Sequence, residues 1–288
     1  MSMLHKLPFI ALCLLLAMRP AASADAPAVG MVLDLQGAVQ ATENGQTGKL
    51  LLLARLTPDT RIDLPAGAKA SVTLYATRSV YRLTGPAIVD VSRDALIVVK
   101  GAAPEVKPMG QKAVATAPAG PFVTGAYRMR SIRIPPPVLL ASPENGSVLL
   151  ETRPRFSWEA TDAGSFQVAL QTESGQPRYS ATVDGNQWAL PEGAQLERGQ
   201  SYKWTVTFVS QPDGEIRSTT GKFSLATKAE ADEFSAMRPG EADPIEDWVY
   251  YAVLLQQRQM RSEARSVWQR IARQRPDLDR AAELARSP

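Results

Sequence analysis

Two periodicities divide the chain. Between Val29 and Leu225, short stretches alternate apolar and polar residues with a period of two, the spacing of a strand with one buried face; beyond Leu225, apolar residues recur every three or four positions, as on a helix. In the first part the pattern predicts strands at 31–35, 38–42, 70–75, 79–83, 87–91 and 95–100, with breaks at Asn44-Gly45, Pro65-Ala66-Gly67 and Gly85-Pro86. Short strands joined by tight turns read as a small antiparallel β-domain over residues 25–101. Strand signals resume after Val138, at 148–150, 155–158, 166–171, 179–183, 187–190, 202–210 and 215–225, and this set fits a β-sandwich over residues 138–227. Residues 102–137, rich in Ala, Pro and Gly and ending in IRIPPPV, read as an extended linker, although PFVTGAYRMRSIRI could return a strand to the first domain.

One stretch of the sandwich carries a more specific mark. In LERGQSYKW, Leu196, Gly199 and Tyr202 have L-x-x-G-x-x-Y spacing, and Trp204 follows on the same strand. This resembles the tyrosine corner of immunoglobulin and fibronectin type III sandwiches, which implies that the Tyr202 hydroxyl bonds back to nearby backbone. Trp158 in PRFSWEA then becomes the core aromatic of an earlier strand, and no cysteine pair is present to bridge the sheets.

The first domain also resembles a known family. GAVQATENGQ followed by LTPDTRIDLPAGAKASVTLYATRSVYRLTGPAIVDV looks like the FecR-like periplasmic domain, with its G-x-V opening at Gly37 and Val39, a turn at 56–60, a strand at 70–74 and a late Gly-Pro turn at Gly85-Pro86. The sequence departs from that pattern at Ala76-Thr77-Arg78-Ser79, where an Asp-Gly turn is usual. The resemblance implies a sensing or scaffolding role in the periplasm. Members that relay signals to a sigma factor carry a membrane helix and a cytoplasmic segment, features not evident here.

Residues 228–288 read as helical: TKAEADEFSAM as a short helix, then longer ones at 244–258 and 262–275, with Asp243 capping Pro244 in the first turn and Ser262 capping the next. Trp248, Tyr251-Ala252, Leu255, Ala264, Trp268, Ile271 and Pro276 fall close to the spacing of one tetratricopeptide repeat, and DLDRAAELA offers a further helix. The match departs from the repeat at Leu255, at Ile271 and in lacking a glycine at the turn between the helices. The expected architecture is therefore mainly β: a small FecR-like antiparallel β-domain plus an immunoglobulin-like sandwich, with a C-terminal α-helical hairpin. A single repeat cannot bury its apolar face alone. It must dock on the sandwich, pair with a second copy or receive another envelope protein, and Trp248, Tyr251, Leu255, Trp268 and Ile271 are the candidate partner-binding residues.

Five arginines of RSEARSVWQRIARQRPD (Arg261, Arg265, Arg270, Arg273, Arg275) lie between these apolar positions, with Glu263, Asp277, Asp279 and Glu283 near them. They read as a solvated helix face laced with ion pairs. On that reading Arg270 and Arg273 matter little and Trp268 matters much.

Composition then narrows the chemistry. His5 and Lys6, an apolar run at 7–18 and Ala22-Ser23-Ala24 form a secretory signal pattern over residues 1–24, so a soluble periplasmic or secreted protein is expected after cleavage near Ala24. The single Cys13 and single His5 both fall in that leader, and Ile10-Ala11-Leu12 lacks the small residue expected before a lipid-bearing cysteine. Residues 25–288 thus have neither thiol nor imidazole, which excludes serine or cysteine catalysis by a histidine base, thiolate or imidazole zinc sites and disulfides. Removing Lys6 and Arg19 lowers the formal charge from +3 to +1, so bulk attraction to nucleic acid is not supported and membrane contact is limited to weak electrostatics.

No S-x-x-K, G-x-S-x-G, phosphate-loop or calcium-loop signature occurs in residues 25–288. Asp184-Gly185 and Asp213-Gly214 read as hairpin turns, and Glu246-Asp247 as acids favoured by a helix N-terminus. No catalytic residue, cofactor or metal ligand is assigned. The expectation is an exported, non-catalytic interaction or scaffold protein, accessory to envelope sensing. The alternative is a module binding cell-wall or other polysaccharide through Tyr179 and Trp188.

Overall fold

The computed structural model describes residues 27–109, 138–160, 164–209 and 216–286. The expected leader at 1–24, the Pro-rich part of the expected linker with its return strand, and Asp213-Gly214 lie outside the described residues. The chain is mainly β with a C-terminal group of helices, as its periodicities predict.

The first β-unit runs from β1 (Gly30–Gln36) and β2 (Gln40–Glu43) through β3 (Gln46–Lys49), β4 (Arg55–Leu56), β5 (Arg61–Leu64), β6 (Lys69–Leu74), β7 (Ser79–Thr84), β8 (Ala87–Val91) and β9 (Leu96–Lys100) to β10 (Glu105–Pro108). It forms two five-stranded antiparallel sheets, ordered β10-β7-β6-β1-β4 and β3-β2-β5-β8-β9. Asn44-Gly45 makes the β2–β3 hairpin, with φ of 51° and 77° at its two central residues, the left-handed pair such a two-residue turn requires. Strand β10 continues the first unit to Pro108, beyond the expected boundary at 101, because its backbone pairs with β7.

Strand β1 explains the apolar run MVL. Val32 and Leu35 enter the core between the two sheets, with Ile62, Val72, Leu74 and Val89, whereas Met31 and Leu33 enter a second core facing the helices. Burial on both faces removes the need for alternation.

The second β-unit contains β11 (Val138–Ser142), β12 (Ser147–Leu149), β13 (Arg155–Ala160), β14 (Ser165–Thr172), β15 (Pro177–Asp184), β16 (Gln187–Ala189), β17 (Ser201–Val209) and β18 (Ile216–Leu225). A three-stranded sheet, β11-β13-β16, and a five-stranded sheet, β12-β18-β17-β14-β15, enclose Phe156, Trp158, Phe166, Val168, Tyr202, Trp204 and Phe223. Phe156 meets Trp204 edge-on at 5.2 Å, and Trp158 meets Phe166 edge-on at 5.5 Å. The Tyr202 hydroxyl accepts from the Glu197 amide at 2.9 Å and donates to the Glu197 carbonyl at 3.4 Å, the bond-back contact expected of a tyrosine corner. Asp184-Gly185 is not a hairpin: β15 and β16 lie in different sheets, so the turn carries the chain from one to the other.

Among the described residues there are four helices, all after Leu225: α1 (Lys228–Met237), α2 (Ile245–Gln257), α3 (Arg261–Gln274) and α4 (Asp279–Arg286). Thr227 and Glu230 form a reciprocal capping box at the start of α1. The other two expected caps are not formed. Pro244 itself occupies the N-cap of α2, while the Asp243 carboxylate accepts from the Gly240 amide at 2.7 Å; Met260, not Ser262, caps α3. Helix α2 ends in a Schellman turn. The Met260 amide bonds to the Leu255 carbonyl at 2.9 Å, the Gln259 amide to that of Gln256 at 3.0 Å, and the Leu255 and Met260 side chains are both buried.

Candidate partner-binding site

The residues expected to face a partner are inside the molecule. Trp248, Tyr251, Leu255, Trp268 and Ile271 are each at most 6% exposed and share one core with Phe234 of α1, Ala281 of α4 and Met31, Leu33 and Val80 of the first β-unit. Val148 of β12 and Leu150 just past it pack against the same core. The apolar face of α2 and α3 is covered by the chain's own β-units and flanking helices. Docking is thus internal, onto both β-units rather than the sandwich alone, and these five side chains are not available as an external surface.

Polar contacts fix the helices at both ends of this core. Toward the first β-unit, Arg82 donates to Glu246 at 2.7 Å and Lys107 to Asp247 at 3.2 Å, so the two acids serve as ion-pair partners as well as favourable charges at the α2 N-terminus. Arg275, just past α3, donates to Asp34 at 2.6 Å and to the Leu35 carbonyl at 2.5 Å, and its two contacts with Asp277 are both 2.8 Å. Toward the sandwich, Arg265 pairs with Glu144, the Glu263 carboxylate accepts from the Leu150 amide at 2.7 Å, and the Gln259 carbonyl accepts from the Val148 amide at 2.9 Å.

Burial dominates the electrostatics of this junction. Desolvation pushes the Asp34 carboxyl above its ordinary range, and the Arg275 guanidinium offsets only part of that cost. Glu263 is likewise pushed up by burial, despite the Leu150 amide that favours its charged form. Arg275 is held above its already high value, first by Asp277 and then by Asp34.

The arginines therefore do not form one solvated face. Arg265 and Arg275 are joining groups, and the Arg270 guanidinium lies 4.1 Å from the centre of the Trp248 ring. Arg273 is exposed. The expected outcome is that Arg270→Ala lowers stability by about 1 kcal/mol through lost stacking and packing on Trp248, whereas Arg273→Ala stays within about 0.5 kcal/mol of the parent. Chemical denaturation of the two single variants checks this; equal effects would remove the role given to Arg270.

The sugar-stacking candidates are turned inward. Trp188 is half-buried with its ring 4.8 Å from that of Phe156, and Tyr179 is half-buried against the sandwich core. What the helical layer does present is a cleft of about 230 Å³ where the end of α2, the start of α3 and α4 meet. Gln256, Gln259, Arg261 and Arg265 supply its polar lining, and Ala264, Trp268 and Leu284 its apolar lining. Sequence spacing missed this cleft because only Trp268 and Ala264 belong to the repeat pattern; Gln259 and Arg261 are positioned by the turn.

Among the described residues, no group of three or more His, Cys, Asp or Glu could hold a metal ion, and no helix is long and apolar enough to cross a membrane.

No family model and no curated protein matches the chain. Among solved structures, the β-glucuronidase of Parabacteroides merdae, determined with glycerol in its active site, is similar over 31% of this chain and 14% of that one, at 15% identity and a TM-score of 0.22. A likeness at that score says nothing about activity.

Proposed function

We propose that this chain is an exported, non-catalytic interaction or scaffold protein of the cell envelope, an accessory to sensing or signalling in the periplasm. The observation that carries the reading is the shared helical core. The two β-units are tied by one layer of helices through Met31, Leu33, Val148 and Leu150, so surfaces from different units are presented together. The FecR-like pattern at 37–87 and the leader at 1–24 supply the envelope setting, and the lack of thiol and imidazole in residues 25–288 supports a role in binding rather than turnover.

The full chain, immobilised and exposed to detergent-solubilised envelope extract, is expected to retain a discrete protein partner and not to co-sediment with purified peptidoglycan. Co-sedimentation with peptidoglycan, lost in Tyr179→Ala or Trp188→Ala and without any captured protein, would instead establish the polysaccharide-binding alternative.

A further inference from the structure

We infer that the cleft between α2, α3 and α4 takes the free C-terminal carboxylate of a partner polypeptide whose last residue is apolar, an inference that rests on the interaction reading above. The first support is charge. Arg261 is exposed, and its hydrogen bonds go to two neutral acceptors, the Gln259 side-chain oxygen at 2.7 Å and the Asn145 carbonyl at 3.5 Å. No carboxylate pairs with it among the described residues. A guanidinium has five donors in a planar fork suited to a carboxylate, so this one keeps donors for an incoming anion.

The second support is the backbone at Gln259. With φ of 59°, it occupies the left-handed position of the Schellman turn, where glycine is the least strained residue. The chain instead places a glutamine there, and its amide oxygen holds the Arg261 guanidinium beside the cleft. The residue that bears this backbone conformation is thus also the one that orients the charged group.

The third support is size and lining. At about 230 Å³ the cleft falls below the range for drug-sized ligands but accommodates one terminal residue. Its apolar side is Leu284, which is partly exposed, backed by the buried Ala264 and Trp268. A carboxylate meeting Arg261 and the Gln256 amide, with an apolar side chain against Leu284, fits that combination.

Calorimetric titration of the full chain with acetylated tripeptides ending in Ala, Leu or Phe tests this. At least one free-acid peptide is expected to bind, with its C-terminal amide counterpart about tenfold weaker or more, and Arg261→Gln is expected to lose about tenfold. Gln259→Gly separates function from folding: it should weaken binding while leaving the thermal midpoint unchanged or raised. Amide and acid binding equally, wild-type affinity in Arg261→Gln, or no binding by any of the peptides would each overturn the inference. Acetate or phosphate competing as well as the peptide would reveal a bare anion site and overturn the terminal-residue assignment. If the chain still captured an envelope protein after such a failure, the scaffold reading would stand and only the cleft would be wrong.

Discussion

Arg275→Ala is expected to destabilise the protein by about 3–5 kcal/mol at neutral pH, because it leaves the Asp34 carboxylate buried without its partner. Both side chains are largely covered, at 17% and 11% exposure, so the pair is not a surface contact that solvent can replace. The second partner, Asp277, is 55% exposed and contributes little to the loss. Asp34 sets the pH dependence. Its folded-state value lies above the ordinary one, so the stability it confers is full below the ordinary carboxylate range and falls as pH rises through the folded value. Removing Arg275 takes away the attraction that limits this rise. The variant's deficit should therefore be smallest where Asp34 is protonated and grow as pH climbs above the carboxylate range. Urea unfolding of the parent and variant across that range measures the trend. A deficit independent of pH would show that Arg275 acts through packing or the Leu35 carbonyl instead. The paired change Asp34→Leu with Arg275→Met should recover most of the loss, since it removes the buried charge together with its partner.

What the sequence disclosed and what it hid divide along contact distance. The change of period near Leu225, the Asn44-Gly45 hairpin and the Leu196–Tyr202 spacing are local signals, and each marks the element it predicts. Strand β3, with sequence QTGK and every residue exposed, has no apolar residue to mark it; β4 has two residues and β10 ends in proline. Thr227 and Glu230 did carry a legible signal, the T-x-x-E spacing of a capping box. The junction was illegible for a different reason. Arg275 and Asp34 are 241 residues apart and Arg265 and Glu144 are 121 apart, so nothing near an arginine in sequence announces its partner. Burial of Trp248 and Trp268 was readable from helical spacing, but spacing cannot tell whether the covering surface belongs to the same chain. The cleft shares that obscurity, since its polar side is made by a turn whose left-handed residue is a glutamine and not the glycine that usually marks such a turn.

Trp268→Ala is expected to cost about 3–5 kcal/mol, the range for deleting a fully buried large aromatic from a core that cannot collapse around the space. Trp268 is 0% exposed, and its core draws on α1 through α4 and on β1 and β7. Because Met31 and Leu33 of β1 belong to that core while Val32 belongs to the next, a cavity at Trp268 weakens the helices and the first β-unit together. Far-ultraviolet circular dichroism, which follows the helices, and tryptophan fluorescence, which also follows Trp158 and Trp204 of the sandwich, should shift to lower denaturant. If the helices unfold as part of one unit with the β-domains, the two signals should coincide in parent and variant alike. A helical transition that separates only in the variant would mean that the apolar core, more than the ion pairs of Arg82 and Arg275, couples the parts. Coincident transitions with a loss under about 1 kcal/mol would instead contradict the burial of Trp268, and with it the conclusion that the chain covers the apolar face of its own helices.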